Sequence, residues 1–167
     1  MKIKLVIFFL LTCFSAAAQQ QTKQQLIDFI NAKLNQSMDV ELYTSSKNFK
    51  NKLKSAKLRL DTGNMVVYDC TMEMKYGEKH IVVFKSSFNP AQIVAIALIS
   101  DEPNKFGMGY LSVVFDRKVV SVTSKRNDLE PKSGFDASIE IHFRQKDKKM
   151  FDELKKAFLD LKTLYKN

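Results

Sequence analysis

The residues best suited to nucleophilic chemistry in this chain are a cysteine and two histidines. A catalytic thiolate at Cys70 would need an imidazole or another cation beside it to lower its pKa. The histidines, His80 and His142, both fall within predicted strands. Their spacing places neither of them next to Cys70, which alternates with apolar residues. The sequence therefore predicts a buried, unreactive thiol.

Other catalytic and cofactor patterns are missing from the sequence. The two histidines and Cys70 are too few and too far apart for a metal-ligand pattern. The bare G-x-G at residues 107–109 precedes a strand rather than a helix, so it predicts a turn and not a phosphate-binding loop. Scattered carboxylates such as Asp69, Glu73 and Asp136 have no spacing that recommends them as an acid/base pair. We expect a protein that is not an enzyme and uses no cofactor.

The most concentrated charge in the sequence is a run of basic residues between positions 47 and 59. The members of this basic run, with no acid among them, are Lys47, Lys50, Lys52, Lys54, Lys57 and Arg59. Three of the lysines share the period of a strand and would form one positive ridge. Such a ridge is suited to docking on a polyanion or on an anionic membrane face.

The basic run has a second interpretation as the surface of an edge strand. Lysines on an edge discourage pairing with other chains, and this use is so common that the sequence favours it. Nucleic acid is not an expected partner, because Phe49 is the only aromatic residue interleaved with the lysines and export would remove the usual nucleic-acid partner.

The first eighteen residues have the organisation of a signal peptide. Two lysines precede an apolar run, and Ala16-Ala17-Ala18 supplies the small residues of a cleavage site. The apolar run is shorter than the roughly 20 residues that span a bilayer, and no later segment reaches that length. We therefore predict a signal peptide at residues 1–18 and a single globular α+β domain at residues 19–167, exported to the periplasm or secreted, with no transmembrane segment.

Cys13 allows a different interpretation of the leader. Leu10-Leu11-Thr12-Cys13 loosely resembles a lipobox, in which case the protein would be a lipoprotein anchored through Cys13. Thr12 fits poorly at the position before the cysteine, so cleavage after Ala18 is favoured. Cleavage there would lower the net charge from +9 to +7, because Lys2 and Lys4 leave. With Cys70 alone remaining, stability must come from a packed core rather than from an intrachain disulfide.

Helical periodicity marks both ends of the mature chain. Thr22 and Gln25 have the form of a capping box. An apolar stripe follows at Leu26, Ile27, Phe29, Ile30 and Leu34. The residues expected to face water are Lys23, Gln24, Asp28, Asn31 and Lys33. Near the other end, Asp147 is predicted to cap a helix with an apolar stripe at Met150, Leu154, Ala157, Phe158, Leu161, Leu164 and Tyr165.

Between the helices the period changes to two, which is typical of strands. Strands are predicted around residues 38–42, 58–60, 66–76, 80–85, 110–115, 119–123 and 138–143. Residues 93–99 are apolar on both faces, which predicts a strand, or else a short helix, buried on both sides. Residues 116–118 are a hairpin candidate, and residues 126–135 are the longest predicted loop. This grouping of a helix, seven or eight strands and a long C-terminal helix predicts an α+β fold with an antiparallel sheet.

Four segments carry a resemblance to a known group of proteins. They are Asp69-Cys70-Thr71-Met72-Glu73, the strand that follows it, the Phe88-Asn89-Pro90 break and the final helix with its Phe151, Leu154, Ala157, Phe158 and Leu161. Together they resemble small exported bacterial domains of unknown function with a pleckstrin-homology-like (PH-like) plan. The resemblance implies a strongly bent seven-stranded antiparallel sheet closed at one end by the C-terminal helix, and it names no ligand. A helix-grip fold, in which the long helix lies across the sheet and encloses an apolar cavity, is the structural alternative.

Two classes of function agree with these patterns. The first is a non-catalytic extracytoplasmic interaction or binding module whose partner is an unknown protein or an anionic envelope surface. The second is a carrier of a small apolar ligand in a helix-grip cavity, indicated by the apolar residues 93–99 and by Met65, Met72 and Met74. An enclosed apolar pocket of roughly 300 Å³ or more would distinguish the carrier from the module. The sequence predicts no particular oligomeric state.

Overall fold

The structure is a computed structural model, and it describes residues 22–39, 41–43, 50–63, 65–76, 78–99, 108–117, 120–127, 129–144 and 148–166. The predicted leader at residues 1–18, with Cys13, lies outside the described residues. So do Lys47 of the basic run and Asp147, the predicted cap of the last helix.

The predicted α+β class is confirmed, with a helix at each end of the described chain and antiparallel strands between them. The N-terminal helix α1 covers residues 22–35. The strands are β1 Glu41–Tyr43, β2 Lys50–Asp61, β3 Met65–Tyr76, β4 Glu78–Phe88, β5 Ile93–Ile99, β6 Met108–Phe115, β7 Val120–Arg126, β8 Lys132–Asp136 and β9 Ser138–Arg144. The C-terminal helix α2 is Lys148–Lys166.

The strands form two sheets rather than one. The large sheet has the order β1-β2-β3-β4-β7-β8, and the small sheet has the order β5-β6-β9. The chain passes between the sheets where β4 leads to β5, β6 to β7 and β8 to β9. These passages are neighbours, because Ile93 pairs with Phe115 and the Phe115 amide donates to the Ala137 carbonyl at 2.8 Å. The rings of Phe88 and Phe115 pack there with centroids 5.5 Å apart.

A short 3-10 turn explains how β4 ends and β5 begins. The side chain of Asn89 accepts a hydrogen bond from the Ala91 amide at 2.9 Å, and Pro90 follows at the first position of the turn Pro90–Gln92. Proline has no amide hydrogen for a strand ladder, and its fixed φ suits the start of a turn. The predicted break at Phe88-Asn89-Pro90 is therefore confirmed, and α2 packs against this turn.

Two local predictions between the helices were wrong. Residues 116–118 do not close a hairpin, because β6 pairs with β5 and β9 whereas β7 pairs with β4 and β8. The predicted loop at residues 126–135 contains most of strand β8, Lys132–Asp136. Both errors have one cause: the charged residues of these segments match turns locally, but the strand partners are set by elements distant in sequence.

Strand β5 forms as predicted, but it is not buried on both faces. It lies at an edge of the small sheet and pairs with β6. Ile93 and Ile96 are buried, while Val94, Leu98 and Ile99 are exposed. Apolar composition identified the strand, but its position at an edge leaves these side chains in solvent.

Helix α1 lies beside α2 in the antiparallel sense. Lys23, near the start of α1, places its Nζ 4.1 Å from the ring centroid of Tyr165, near the end of α2. Lys33, near the end of α1, forms an ion pair with Glu153 in the first turns of α2. The predicted faces need correction, because Lys23 is buried under this contact whereas Phe29 is 40% exposed.

The core lies between the inward faces of the sheets and the two helices. The predicted stripe of α2 is buried from Met150 to Leu161. The largest fully buried side chains include Tyr68, Phe88, Phe143 and Phe158. Burying apolar surface of this kind is the main source of stability for a chain whose described cysteine, Cys70, is not in a disulfide.

Candidate functional site

The basic run lies on strand β2, apart from Lys47. Of Lys50, only the position in the strand is described. The remaining side chains are exposed or half-exposed and alternate with buried residues, so they face away from the core: Lys52, Lys54, Lys57 and Arg59. We call this side of the large sheet the outward face.

A β-bulge keeps these four side chains on the outward face. In a regular strand, even-numbered and odd-numbered residues point to opposite faces. The even-numbered Lys52 and Lys54 would then lie on one face, and the odd-numbered Lys57 and Arg59 on the other. The pairing of β2 with β3 shifts by one residue between Leu53 and Ser55, so Lys54 is the extra residue of a bulge. The ridge is therefore continuous because of a backbone irregularity that the sequence analysis did not predict.

Acidic side chains from outside the basic run neutralise part of it. The carboxylate of Asp39 lies 3.0 Å from the Lys54 ammonium and 3.4 Å from the Lys52 ammonium. Hydrogen bonds from Lys54 and then Lys52 hold the pKa of Asp39 below its usual value, and the same contact with Asp39 raises the pKa of Lys54. Asp39 adopts a positive φ of 57° in the turn after α1, a conformation that aspartate tolerates better than most residues.

Two further acids on the outward face already have basic partners. The Arg59 Nε lies 3.2 Å from the Asp69 carboxylate, and the Glu73 carboxylate lies 2.9 Å from the Lys79 ammonium. The hydrogen bond from Lys79 lowers the pKa of Glu73. Asp69 and Glu73 are four residues apart on β3, which separates them by about 13 Å. They do not form an acid/base pair.

The strand register extends the positive charge beyond β2. Lys57 pairs across to Asp69, which pairs across to Lys85 on β4, so these three side chains share one row of the outward face. Lys125 on β7 lies opposite Val83 in the next row. Lys57, Lys85 and Lys125 are exposed, as is Lys75 at the far end of β3.

The outward face therefore carries an excess of positive charge. Its described basic side chains are Lys52, Lys54, Lys57, Arg59, Lys75, Lys79, Lys85 and Lys125. Its described acids are Asp61, Asp69 and Glu73, joined by Asp39 from the adjoining turn. Sequence reasoning missed the lysines of β3, β4 and β7, because they come from separate strands and only the pairing of those strands places them on one face. Strand parity combined with the register would have found them.

Cys70 lies on the opposite, inward side of β3. It is buried and is not in a disulfide, and burial raises the pKa of its thiol to about 11. At neutral pH this thiol is protonated, whereas a nucleophilic cysteine needs a lowered pKa.

The two histidines occupy different environments. The side-chain amide nitrogen of Asn127 donates a hydrogen bond to Nδ1 of His80, 3.0 Å away. His80 lies four residues along β4 from Phe84, which pairs with Cys70, so His80 and Cys70 are separated by about 13 Å. His142 on β9 is buried, and burial lowers its pKa to about 4. A thiolate-imidazolium pair would require the reverse of the shifts at Cys70 and His142.

Three further observations describe the same residues. In the described part of the chain, no cluster of three or more histidine, cysteine, aspartate and glutamate side chains has the arrangement of a metal site. None of the described helices has the length and apolar content needed to span a bilayer. No family model, no curated protein and no solved structure matched this chain.

Proposed function

We propose that this protein is a non-catalytic interaction module that docks on an anionic envelope surface through the outward face of the large sheet. The observation that carries the proposal is the strand register, which collects basic side chains from β2, β3, β4 and β7 on that face. Export by the predicted leader would bring this face to an envelope surface.

The charge balance of the outward face supports docking rather than edge protection alone. Edge protection explains lysines on β2, but Lys85 and Lys125 lie on β4 and β7 in the interior of the large sheet, where no edge needs protection. Each lysine held near an anionic surface contributes on the order of 1 kcal/mol at low salt. Three or four exposed lysines on one face are therefore sufficient for salt-dependent binding.

Vesicle binding tests this proposal directly. We expect the protein to co-sediment with vesicles of phosphatidylcholine and phosphatidylglycerol at low salt, and to dissociate when salt is raised or phosphatidylglycerol is omitted. The test variant replaces Lys57, Lys85 and Lys125 with glutamine. Its affinity should fall by about a hundredfold at low salt, since three contributions of about 1 kcal/mol are removed.

The matched control removes the same net charge from elsewhere on the molecule. It replaces Lys132, Lys155 and Lys166, which are exposed and lie off the outward face, with glutamine. A clearly smaller loss is expected for this control. Equal losses in the two triple variants would show that net charge alone drives binding, and absence of binding at low salt would also refute the proposal.

The proposed fold plan is PH-like, with an addition. Support comes from antiparallel strands that pass between two sheets and from a C-terminal helix that packs where β4 turns into β5. Helix α1, which lies beside α2, is additional to that plan.

The carrier hypothesis has less support than the module hypothesis. Residues of β5 that were expected to line an interior, such as Leu98 and Ile99, are exposed at a sheet edge. Met72 is fully buried and Met74 packs against the core, so both fill space among other side chains. The ring of Phe158 occupies the core beneath α2, where a helix-grip carrier would hold its ligand.

A further inference from the structure

Phe135 is the most exposed large apolar side chain in the described part of the chain. It is 69% exposed on β8, an edge strand of the large sheet, whereas Phe88, Phe143 and Phe158 are fully buried. Single apolar side chains scattered over a surface need no explanation. The position of this ring is different, because the strand register places it on the outward face together with the lysines that are proposed to dock.

The strand pairing fixes the face on which Phe135 lies. Phe135 pairs across to Ser121 on β7, which pairs across to Ser87 on β4. Ser87 pairs across to Val67 on β3, which pairs across to Arg59 of the basic run. Residues opposite one another in paired strands lie on the same face of a sheet, so Phe135 lies on the outward face with Arg59.

Exposed lysines lie in the neighbouring rows of this face. Lys85 pairs across to Thr123 on β7, and Thr123 pairs across to Ser133, two residues before Phe135 on β8. Two strand spacings and one step of two residues place the Cα atoms of Lys85 and Phe135 about 12 Å apart. Lys125 lies two residues beyond Thr123 on the same face. One side of β4, β7 and β8 therefore presents an aromatic ring beside cationic side chains.

The neighbours of Phe135 are too short to cover its ring. Ser121 lies opposite it and Ser133 lies two residues away on the same face, while β8 has no further strand on its other side in the described residues. Asp136 is the next residue, but strand alternation turns its side chain to the other face, where its carboxylate accepts from the Ala137 amide at 2.9 Å. The ring therefore projects from the outward face without an acid beside it on that face.

We propose that Phe135 inserts into the interfacial layer of an anionic lipid bilayer while Lys85 and Lys125 contact its phosphate groups. This inference rests on the proposed function and deepens it, because it identifies the envelope surface as a membrane. A soluble polyanion complements the lysines but provides no apolar layer for the ring. A bilayer provides both, with phosphates at its surface and the acyl boundary about 5 to 10 Å deeper, where aromatic and aliphatic side chains of surface-bound proteins are buried.

Tryptophan fluorescence tests the insertion. The chain contains no tryptophan, so a single introduced indole reports its own surroundings. In Phe135→Trp we expect a blue shift of the emission when vesicles of phosphatidylcholine and phosphatidylglycerol are added, and quenching when their acyl chains are brominated. Phe29→Trp is the matched control, because Phe29 is 40% exposed on α1, which packs on the inward side of the sheets. Its emission should not change on the same vesicles.

Vesicle affinity provides the second measurement. Phe135→Ala should weaken binding about tenfold, because the apolar contribution of the ring is lost. This loss should persist as salt rises, whereas the effect of the triple lysine variant should decline through screening. Phe29→Ala should change the affinity less than about twofold. Circular dichroism and thermal melting confirm that each variant is folded.

The insertion and the proposed function fail in different ways. Unchanged emission of Phe135→Trp on bound vesicles, or unchanged affinity in Phe135→Ala, would overturn the insertion and leave docking through the lysines intact. Binding to soluble dextran sulfate as tight as binding to vesicles, and equal in the wild type and Phe135→Ala, would identify a polyanion as the partner and also overturn the insertion. Absence of binding to anionic vesicles at low salt would refute both proposals.

Discussion

Two buried titratable side chains, Cys70 and His142, are held in their uncharged forms by the core. The thiol pKa of Cys70 rises to about 11, and the imidazole pKa of His142 falls to about 4. Burial penalises the charged form of each group, so the shifts have opposite signs. At the scale of single residues, these two side chains act as parts of the core. The proposed docking function depends instead on the exposed lysines.

We predict that Cys70 reacts slowly with a thiol reagent in the native protein. Its thiol is buried and protonated at neutral pH, whereas the thiolate is the reactive form. Labelling followed by peptide mass spectrometry measures this site separately from any other cysteine. The same peptide should label rapidly in denaturant, and rapid labelling of the native protein would contradict a structural role.

We predict that His142 makes stability depend on pH between about 6.5 and 4. The pKa of His142 in the folded protein is about 4, below the ordinary value of 6.5, so the unfolded state binds its proton first as pH falls. The contribution of His142 to stability is complete above pH 6.5 and is lost on acidification toward pH 4, by about 3 kcal/mol. Urea unfolding at several pH values measures the slope.

His142→Asn provides the comparison for this prediction. The variant lacks the titrating group, so its stability should change less than that of the wild type over the same interval. Subtracting the two curves removes the contribution of carboxylates that titrate in both proteins. Identical slopes would show that His142 does not titrate differently in the folded and unfolded states.

At the scale of elements, the side chain of Asn31 joins α1 to the edge of β2. Its two hydrogen bonds to the Leu58 backbone, 2.7 and 2.8 Å long, reproduce what a neighbouring strand would supply. A strand edge is thereby covered by a helix, and the register between the helix and the sheet is fixed.

We predict that Asn31→Ala destabilises the protein by about 1 to 3 kcal/mol, because both backbone groups of Leu58 lose a partner. Asn31→Asp should be intermediate, since it keeps the acceptor for the Leu58 amide and loses the donor to the carbonyl. Gln24→Ala is the control on the same helix, because its exposed hydrogen bond to Asp28 should be worth less than about 0.5 kcal/mol. Chemical denaturation measures all three variants, and equal effects of Asn31→Ala and Gln24→Ala would contradict the edge-capping role.

Helix α2 is the element that closes the core, and Phe158 lies at the centre of its buried stripe. We predict that Phe158→Ala costs about 3 to 5 kcal/mol, because it removes a fully buried ring and leaves a cavity. Lys156→Ala should change stability by less than about 0.5 kcal/mol, since it removes an exposed pair with Asp160. Denaturant unfolding compares the two, and a mild effect of Phe158→Ala would mean that α2 does not depend on docking in this core.

At the scale of the whole molecule, the charge is divided unevenly between surfaces. The net charge is +9, the outward face of the large sheet holds an excess of lysines, and the β5 edge of the small sheet is uncharged. The proposed docking face and this apolar edge therefore belong to different sheets.

We predict that protein from its native host begins at Gln19, because residues 1–18 have the basic, apolar and small-residue order of a cleaved leader. Intact-mass measurement decides this, with cyclisation of the new terminal glutamine as an accepted variant. A lipid-modified mass beginning at Cys13 would instead show a lipoprotein, in which case membrane binding would need the anchor removed before the role of the lysines could be measured.

The sequence alone determined the type and approximate place of most elements. The stripes of α1 and α2, the long strand β3 and the break at Asn89-Pro90 were predicted because each depends on residues close together in the chain. Periodicity reports which face of an element avoids water, and turn residues report where the backbone must change direction.

Only the tertiary structure decided how these elements share their surfaces. The bulge at Lys54, the pairing of Asp39 with two lysines and the row that joins Lys57 to Lys85 all depend on partners distant in sequence. The same is true of β5, which was expected to be buried on both sides and instead keeps only Ile93 and Ile96 in the core, with Val94, Leu98 and Ile99 exposed. An amino-acid pattern records how strongly a side chain prefers burial, but the order of strands determines whether burial is available, and that order is set by contacts across the whole fold.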